Sequence, residues 1–303
     1  MATLALFPNE FPSMIDRLGT TEQWMSTDSE EAFKANVNNI SSYYRSADIK
    51  YTHNEHGYRT RSFNSLPKKF GIALGCSHTY GVGVREQDTW HAELSRLCGL
   101  QFLNLGTESH GIQAITALTY QWHKYFALPE IVVIQLPHWN RHTFMRLEQP
   151  ITEDKTVPLG NNWVLADTYS YISAHKDMAE QVENDLSWEY QQAIAINANV
   201  SFWNSLGVPV RLWSYQNDHS FNRFCEYHIH CVQMQSEDIG EWLARDLSHQ
   251  GHITQFRAAG ELMEYVYSKR LHVKPQTTPL EITEENQKKH ILELRQNQDI
   301  IYN

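Results

Sequence analysis

The sequence predicts an α/β fold built around a mainly parallel β-sheet. Between residues 68 and 140, segments typical of strands alternate with segments typical of helices, which favours parallel pairing through right-handed crossovers. One of these segments, "EIVVIQLP", is the continuous apolar run expected of a strand buried on both faces. With 303 residues, 41% of them hydrophobic, the chain can bury a sizeable core.

The elements of this region follow one another in a regular order. The first strand is "FGIALG", and the helix after it is "DTWHAELSRLCG", for which we predict Asp88 as N-cap and Gly99 as C-terminal stop. A second strand, "LQFLNLG", leads to a longer helix, "GIQAITALTYQWHKYFAL", which we expect Pro129 to end. The third strand, "EIVVIQLP", then completes a strand-helix-strand-helix-strand unit.

The same alternation returns between residues 208 and 270. There "VPVRLWSY" and "HIHCVQMQ" predict strands, and "TQFRAAGELMEYVYSK" predicts an amphipathic helix. Residues 174–207 have a helical pattern, whereas the polar segment at about 145–170 is interpreted as an insertion or lid. We therefore place the main domain at residues 68–271.

The two ends of the chain differ from this domain. Residues 1–67, here called the lead-in segment, contain few periodic runs and are expected to pack on the main domain. Within them Trp24 and Phe33 have near-helical spacing, and Thr20 or Thr21 is the predicted N-cap. Residues 272–303 form a polar tail, a candidate docking segment for a partner protein.

Composition excludes several kinds of partner. The net charge of -10 repels nucleic-acid phosphates, so we expect no nucleic-acid partner. We also expect no membrane partner, because no stretch approaches the about 18 apolar residues of a membrane helix. The N-terminus lacks the basic start of a signal peptide, which indicates cytoplasmic synthesis.

Cofactor and metal sites have no clear signal in the chain. The four cysteines lack zinc-type CxxC pairs and are expected to be free thiols. His228 and His230 of "HIHC" share one face of a predicted strand, but a metal site needs at least one further ligand, which the sequence does not place. We predict no cofactor and no metal.

The stretch "GIALGCSHTYGVGV" puts Ser77 just past the carboxyl end of the first strand. Ligands of open α/β sheets bind at that edge, and the surrounding glycines allow a tight turn and close backbone approach. The pattern is not a GxSxG elbow, because two more residues separate Ser77 from the next glycine. It is not a phosphate loop either, since the lysine is missing.

Four blocks, in order over residues 69 to about 268, resemble the SGNH (GDSL-like) hydrolases. Ser77 in "GCSHTYG" stands at the family's Gly-Asp-Ser turn, Gly106 follows the second strand, and Asn140 follows the third. Asp246 and His249 in "ARDLSHQGH" match the family's Asp-x-x-His before the last helix. The resemblance implies a three-layer α/β/α sandwich, SGNH hydrolase-like and flavodoxin-like.

The resemblance also implies a serine esterase, and the chemistry of these residues fits one. Ser77 would be the nucleophile, His249 its base, and Asp246 the group that orients the imidazole. Donors to the oxyanion would be the backbone N–H groups of Ser77 and Gly106 and the side-chain amide of Asn140. The expected reaction is hydrolysis of an O-acyl ester through an acyl-serine intermediate, on an acylated small molecule or glycan such as a carbohydrate O-acetyl ester.

Two departures from the family pattern leave alternatives open. Cys76 replaces the aspartate before the serine and is itself an alternative nucleophile. "PHWNR" replaces the usual Gly-x-Asn-Asp, so His138 or Arg141 is an alternative contributor to the oxyanion site. His252 is a rival base to His249.

Two further histidines flank the predicted mouth of the site. His78 and His110 are candidates for lining the substrate pocket, together with His138 and Arg141, although a structural role is an equal alternative for both. Asp246 and His249 have a structural alternative as well, as capping residues near the last helix.

A second class of function competes with the enzyme. The segment "YTHNEHGYRTRSF" resembles the lead-in of SGNH-like proteins from phages and bacteria, which implies a virion-associated location as an alternative. The chain would then be a non-catalytic binding protein or virion structural protein built on an SGNH fold. A nucleotide-binding protein is disfavoured by the lack of a Walker or dinucleotide motif.

Overall fold

The computed structural model describes residues 4–6, 11–45, 48–138, 141–148, 163–170, 186–215, 224–232 and 242–271. Its strands are β1 (Leu4–Leu6), β2 (Ser13–Met14), β3 (Thr21–Glu22), β4 (Tyr51–Thr52), β5 (Gly71–Gly75), β6 (Phe102–Gly106), β7 (Ile131–Gln135), β8 (Arg141–Glu148), β9 (Trp163–Ser170), β10 (Val210–Ser214) and β11 (Ile229–Cys231). Its α-helices are α1 (Glu30–Asn36), α2 (Ser42–Arg45), α3 (Ser77–Tyr80), α4 (Trp90–Cys98), α5 (Ile112–Tyr125), α6 (Leu186–Ser205) and α7 (His252–Leu271), with single 3₁₀ turns at Phe63–Ser65 and Glu86–Asp88.

A five-stranded sheet forms the centre of the fold. Its strand order is β11-β10-β7-β5-β6, and every neighbouring pair is parallel. Strands β5, β6 and β7 are buried along their whole length, which explains why their sequences are apolar runs rather than alternating patterns. The predicted α/β class with a mainly parallel sheet is confirmed.

Helices cover both faces of this sheet. Ile72 and Leu74 of β5 belong to one hydrophobic cluster, which also contains Trp122 of α5 and Trp203 of α6. Ala73, between them, belongs to a second cluster with residues of α4 and α7. Because successive side chains of a strand point to opposite faces, these two clusters lie on opposite sides of the sheet and give a three-layer α/β/α arrangement.

The segment at 145–170, interpreted from the sequence as an irregular insertion or lid, contributes to a second sheet. Strands β8 and β9 pair antiparallel with each other, and β9 also pairs with β1 of the lead-in segment. The order of this sheet is β2-β1-β9-β8. Residues 149–162 between the two strands lie outside the described residues, as does the C-terminal tail, residues 272–303.

The lead-in segment contacts the main domain through a third hydrophobic cluster. Tyr44 and Tyr51 pack there with Tyr80 and Val82, which follow the first strand of the central sheet. Arg59, fully buried, donates hydrogen bonds to four backbone carbonyl oxygens, those of Lys50, Tyr80, Gly81 and Val84, at 2.6–3.3 Å. The division into lead-in segment, main domain and tail stays a prediction.

Three predicted helix ends differ from the structure. The N-cap of α4 is Thr89, while the Asp88 carboxylate accepts hydrogen bonds from Arg85 and Tyr43 instead. Helix α1 begins after Ser29, whose hydroxyl accepts from the Ala32 N–H. Neither Thr20 nor Thr21 therefore caps α1, and Thr21 belongs to β3.

Helix α5 ends at Tyr125, four residues before the predicted stop at Pro129. Gly99 does end α4, in the left-handed conformation expected of a C-cap glycine.

Candidate active site

Ser77 lies where the central sheet meets the short helix α3. Strand β5 ends at Gly75, and α3 opens at Ser77. The Ser77 backbone N–H is the first of that helix and so has no acceptor within it. Ser77 is only 4% exposed, so its hydroxyl is held in a defined environment at the carboxyl edge of the sheet, as predicted.

Two hydrogen bonds connect Ser77 to the loop before α7. The Ser77 Oγ lies 2.8 Å from His249 Nε2, and His249 Nδ1 lies 2.6 Å from Asp246 Oδ2. The carboxylate at Nδ1 places the proton of a neutral imidazole on that nitrogen, which leaves Nε2 as an acceptor for the serine hydroxyl. Ser77, His249 and Asp246, which come from two distant parts of the sequence, are therefore connected by consecutive hydrogen bonds.

The Asp246 carboxylate is fixed on both oxygens. Its Oδ1 accepts from the backbone N–H groups of Ser248 and His249, and its Oδ2 accepts from the Thr27 hydroxyl at 2.5 Å as well as from His249. Burial acts to raise the pKa of Asp246, but the hydrogen bonds from His249 and Thr27 outweigh it and hold that pKa below its ordinary value. The group is thus an anion that orients the imidazole. It also accepts two hydrogen bonds from the backbone of its own turn, three residues or more before α7 begins at His252.

The loop that carries Asp246 is anchored by its neighbour. The Arg245 guanidinium binds both carboxylate oxygens of Asp28, at 2.7 and 2.6 Å, and the Arg245 N–H donates to the Gly83 carbonyl oxygen. Gly83 has a φ of 71°, and a Cβ atom there would lie 2.9 Å from the Cβ of Ala244. Glycine is needed at this position both for its conformation and for the close approach of the loop.

The predicted oxyanion donors have mixed outcomes. Gly106 lies directly beside α3, since a Cβ atom on it would stand 2.3 Å from the Tyr80 nitrogen. However, its N–H donates to Asn104 Oδ1 at 2.9 Å, so this donor is already engaged and is not directed at an oxyanion. Asn140 lies outside the described residues, and its role stays a prediction.

The two rival assignments are placed away from the serine-histidine contact. The Cys76 thiol is buried and donates to Gln135 Oε1 at 3.4 Å, on the side of β7. His252 stacks on Tyr43 with 3.8 Å between ring centroids and approaches the Tyr44 hydroxyl. The geometry favours Ser77 over Cys76 and His249 over His252.

One of the four candidate pocket residues, His78, contacts the triad. Its ring centroid lies 4.8 Å from that of His249. Burial lowers the pKa of His78 well below 6.5, and the charges of His249 and Arg141 lower it further, so His78 is neutral at pH 7.

Two further candidates lie in the flanking loops. His110 is buried, and its Nδ1 contacts the Glu108 carbonyl oxygen at 2.6 Å. The His138 carbonyl oxygen accepts from the Arg141 N–H at 3.0 Å, just before β8. For His110 the contact is that of a structural histidine.

Comparisons with known proteins concern the fold. No family model and no curated protein matches the chain. A protein described as lipolytic and of the G-D-S-L family, from Desulfitobacterium hafniense DCB-2, matches at 15% identity and a TM-score of 0.40, over 67% of this chain and 99% of that chain. An acetyl xylan esterase from Butyrivibrio proteoclasticus matches at 11% identity and a TM-score of 0.42, over 68% and 64%.

A carbohydrate esterase family 2 enzyme with a carbohydrate binding domain, from Corynascus thermopiles (Myceliophthora fergusii), matches at 12% identity and a TM-score of 0.38, over 68% of this chain and 67% of that chain. Solved structures of the type that the sequence motifs resemble are therefore among its structural neighbours. Because these identities and TM-scores are low, the chemistry of the site is inferred from the residues of this chain alone.

The described residues contain neither a cluster of metal ligands nor a membrane-spanning helix. Within them, no three histidine, cysteine or acidic side chains are grouped as a metal site would require. His230 of "HIHC" contacts the Glu261 carboxylate at 2.5 Å, and none of the four cysteines forms a disulfide. The described helices include none that is both long and apolar enough to span a bilayer.

Several residues of the site had no signal in the sequence. Thr27 donates to Asp246 across 219 positions of the chain, and it lies in an ordinary polar stretch, "STDSEE". Glu108 and Arg17 form a buried ion pair, with 2.5 Å between Arg17 Nη2 and Glu108 Oε2. Arg17 lies between the exposed residues Asp16 and Leu18, so its local sequence gives no indication of this pair.

Proposed function

We propose that the chain is a serine ester hydrolase that acts through an acyl-serine intermediate. The observation that carries this proposal is the continuous hydrogen-bond line from Ser77 Oγ through His249 to Asp246. A serine hydroxyl becomes an effective nucleophile when a base is positioned to take its proton, and a base is effective when a third group orients it. Both contacts are already within hydrogen-bond distance in the free chain.

The reaction proceeds in two halves. Ser77 Oγ attacks the ester carbonyl carbon while its proton passes to His249 Nε2, and the resulting imidazolium is stabilised by the Asp246 carboxylate. The tetrahedral intermediate collapses with cleavage of the bond to the alcohol oxygen, which takes the proton from His249 and leaves. A water molecule then repeats the sequence on the acyl-serine, releasing the carboxylic acid and restoring Ser77.

We extend the proposal to O-acyl esters of hydroxylated compounds, including carbohydrate O-acetyl esters. The Ser77 N–H, first in α3, is a candidate donor to the oxyanion, and the Asn140 amide is a second. Because Gly106 donates to Asn104, it can serve as a donor only if that bond is exchanged when substrate binds. Association with a virion, and docking through residues 272–303, remain proposals from the sequence alone.

Hydrolysis of p-nitrophenyl acetate and covalent labelling by a fluorophosphonate test the proposal together. We expect the Ser77→Ala variant to lose labelling and to lose kcat by about 10⁴-fold or more. The matched control is Cys76→Ala, which changes the neighbouring residue whose thiol contacts Gln135 and should retain both signals. Circular dichroism would establish that each variant is folded.

Two results would overturn the proposal. If the wild-type protein neither turns over esters nor reacts with the phosphonate, the binding or virion structural alternative is favoured. If Ser77→Ala stays active while Cys76→Ala does not, the nucleophile has been misassigned.

A further inference from the structure

A tight turn of the lead-in segment, from Met25 to Asp28, contacts the loop that carries Asp246. Met25 and Asp28 exchange both of their backbone hydrogen bonds, at 2.8 and 3.0 Å, so Ser26 and Thr27 form the tip of the turn. The Thr27 hydroxyl donates to Asp246 Oδ2 at 2.5 Å. Thr27 is an exposed residue, whereas Asp246 is buried. A residue at the surface therefore binds the innermost member of the proposed triad.

The backbone on both sides of this contact is strained. Ser26, which precedes Thr27, has a φ of 57°, in the left-handed region that residues other than glycine rarely adopt. In the described part of the chain, the only other non-glycine residues with a positive φ are Ser109 and Leu247, and Leu247 directly follows Asp246. Strain of this kind persists where the surrounding contacts impose it, and it is concentrated at functional sites.

Two side chains beside the tip bind the turn to the same loop. The Asp28 carboxylate accepts hydrogen bonds from the Arg245 guanidinium at 2.7 and 2.6 Å, and the side chains of this pair are almost fully buried. The Trp24 ring centroid lies 4.1 Å from the same guanidinium. Because Arg245 immediately precedes Asp246, these contacts keep the Thr27 hydroxyl next to the carboxylate.

The Thr27 hydroxyl and the His249 ring bind the same carboxylate oxygen. His249 Nδ1 lies 2.6 Å from Asp246 Oδ2, and Asp246 Oδ1 accepts from two backbone N–H groups of its own turn. A carboxylate oxygen can accept about two hydrogen bonds, so Thr27 completes Oδ2 and opposes rotation of the carboxylate. Such a rotation would turn the imidazole and move Nε2 from its 2.8 Å contact with Ser77 Oγ.

We propose that Thr27 is a positioning residue of the proposed triad, which fixes the Asp246 carboxylate and through it the His249 ring. The proposal rests on the proposed esterase function for the identity of the reaction, whereas the orientation of His249 is a property of the folded chain. Thr27 acts only through Asp246. The hydrogen-bonded series then has four members, and the lead-in segment supplies the first of them.

The experiment compares two replacements of Thr27. Valine keeps the branched shape and removes the hydroxyl, whereas serine keeps the hydroxyl. We expect Thr27→Val to lower kcat for p-nitrophenyl acetate by about tenfold with little change in KM, and Thr27→Ser to retain most of kcat. Because Thr27 is exposed, both variants should unfold at similar urea concentrations. The matched control is Thr21→Val, which removes the hydroxyl of another exposed threonine of the lead-in segment, bound to Thr52 at 3.3 Å, and should leave kcat unchanged.

A measurement without turnover separates this proposal from the esterase. In protein with isotope-labelled histidine, the proton on His249 Nδ1 should give a far-downfield NMR resonance because of its hydrogen bond to Asp246, and His249→Ala identifies that resonance by its loss. We expect Thr27→Ser to retain the resonance and Thr27→Val to shift or broaden it. This result without any ester cleavage would support the positioning role and oppose the esterase.

Two results would overturn the positioning role and leave the esterase standing. In the first, Thr27→Val cleaves the ester as fast as Thr21→Val does and its resonance is unchanged. In the second, Thr27→Ser loses as much kcat as Thr27→Val, which would show that the hydroxyl is not the group that matters.

Discussion

Replacement of Gly106 by alanine tests whether the position of α3 controls the activity of Ser77. Gly106 ends β6, and a Cβ atom built on it would lie 2.3 Å from the Tyr80 nitrogen and 2.8 Å from the Thr79 carbonyl carbon. Both are backbone atoms of the four-residue helix that Ser77 opens. An added methyl group therefore has no flexible side chain to displace and must move the helix itself.

The size of the effect follows from these distances. Ordinary contact begins at 3.4 Å, so α3 and Gly106 must separate by about 1 Å. The Ser77 Oγ to His249 Nε2 distance is now 2.8 Å, and a displacement of that size away from His249 would take it past the hydrogen-bond range. A misplacement of about 1 Å costs on the order of 100-fold in rate. Overpacking of this kind also destabilises a fold by about 1–3 kcal/mol.

The assay measures kcat for p-nitrophenyl acetate and the free energy of unfolding in urea on the same preparations. Gly99→Ala is the control, since Gly99 has a φ of 62° with no atom within 4 Å of a built Cβ. It introduces backbone strain, and so a loss of stability, without pressing on α3. If Gly106→Ala has wild-type kcat per folded molecule, or loses no more than Gly99→Ala does, the reasoning that α3 is held by contact with Gly106 is refuted.

Two other predictions concern histidines. His249→Ala should lower kcat by several orders of magnitude. His252→Ala should retain most activity, because the His252 ring stacks on Tyr43. Steady-state rates of the two variants test this, and a larger loss in His252→Ala would reassign the base. Burial, with a smaller effect of Arg59, lowers the pKa of His91 from 6.5 to about 3. Its neutral form therefore contributes stability that is fully present above about pH 6.5 and is lost as the pH falls towards 3, by up to about 1.4 kcal/mol per pH unit. Urea unfolding at pH 7 and pH 5 should show a smaller difference in His91→Phe than in wild type, and an equal difference would contradict the assignment.

The central sheet could be predicted because its signal is local. Strands β5, β6 and β7 are buried on both faces, so the sequence of each is a mainly apolar run. Glycine, proline or the start of a helical pattern marks the ends of these runs. The Asp246 and His249 pair was predictable for a similar reason, since both side chains lie in one turn and contact each other at 2.6 Å. Ser77 lies far from this pair in sequence. Its position at the carboxyl edge of the parallel sheet, where ligands of such sheets bind, is what the pattern predicted.

The features that could not be predicted depend on distant partners. Strands β8 and β9 have no clear alternating pattern and are paired with each other and with β1. The Gly106 N–H was expected at the oxyanion, but a side chain two residues earlier, Asn104, takes it. Arg59 resembles any surface arginine in sequence, although it is fully buried and binds four carbonyl oxygens.

The lead-in segment differs from the main domain in composition, yet it supplies contacts that the proposed triad depends on. Two consecutive residues, Thr27 and Asp28, bind two consecutive residues of the loop, Asp246 and Arg245. The Asp28 and Arg245 side chains are almost fully buried, and removing one partner of such a pair costs about 3–5 kcal/mol. Because Asp246 holds the His249 ring at Nδ1, the position of the base depends on a segment more than 200 residues away. The composition of the sequence changes near residue 67. The chemistry proposed for Ser77 nevertheless requires residues on both sides of that position.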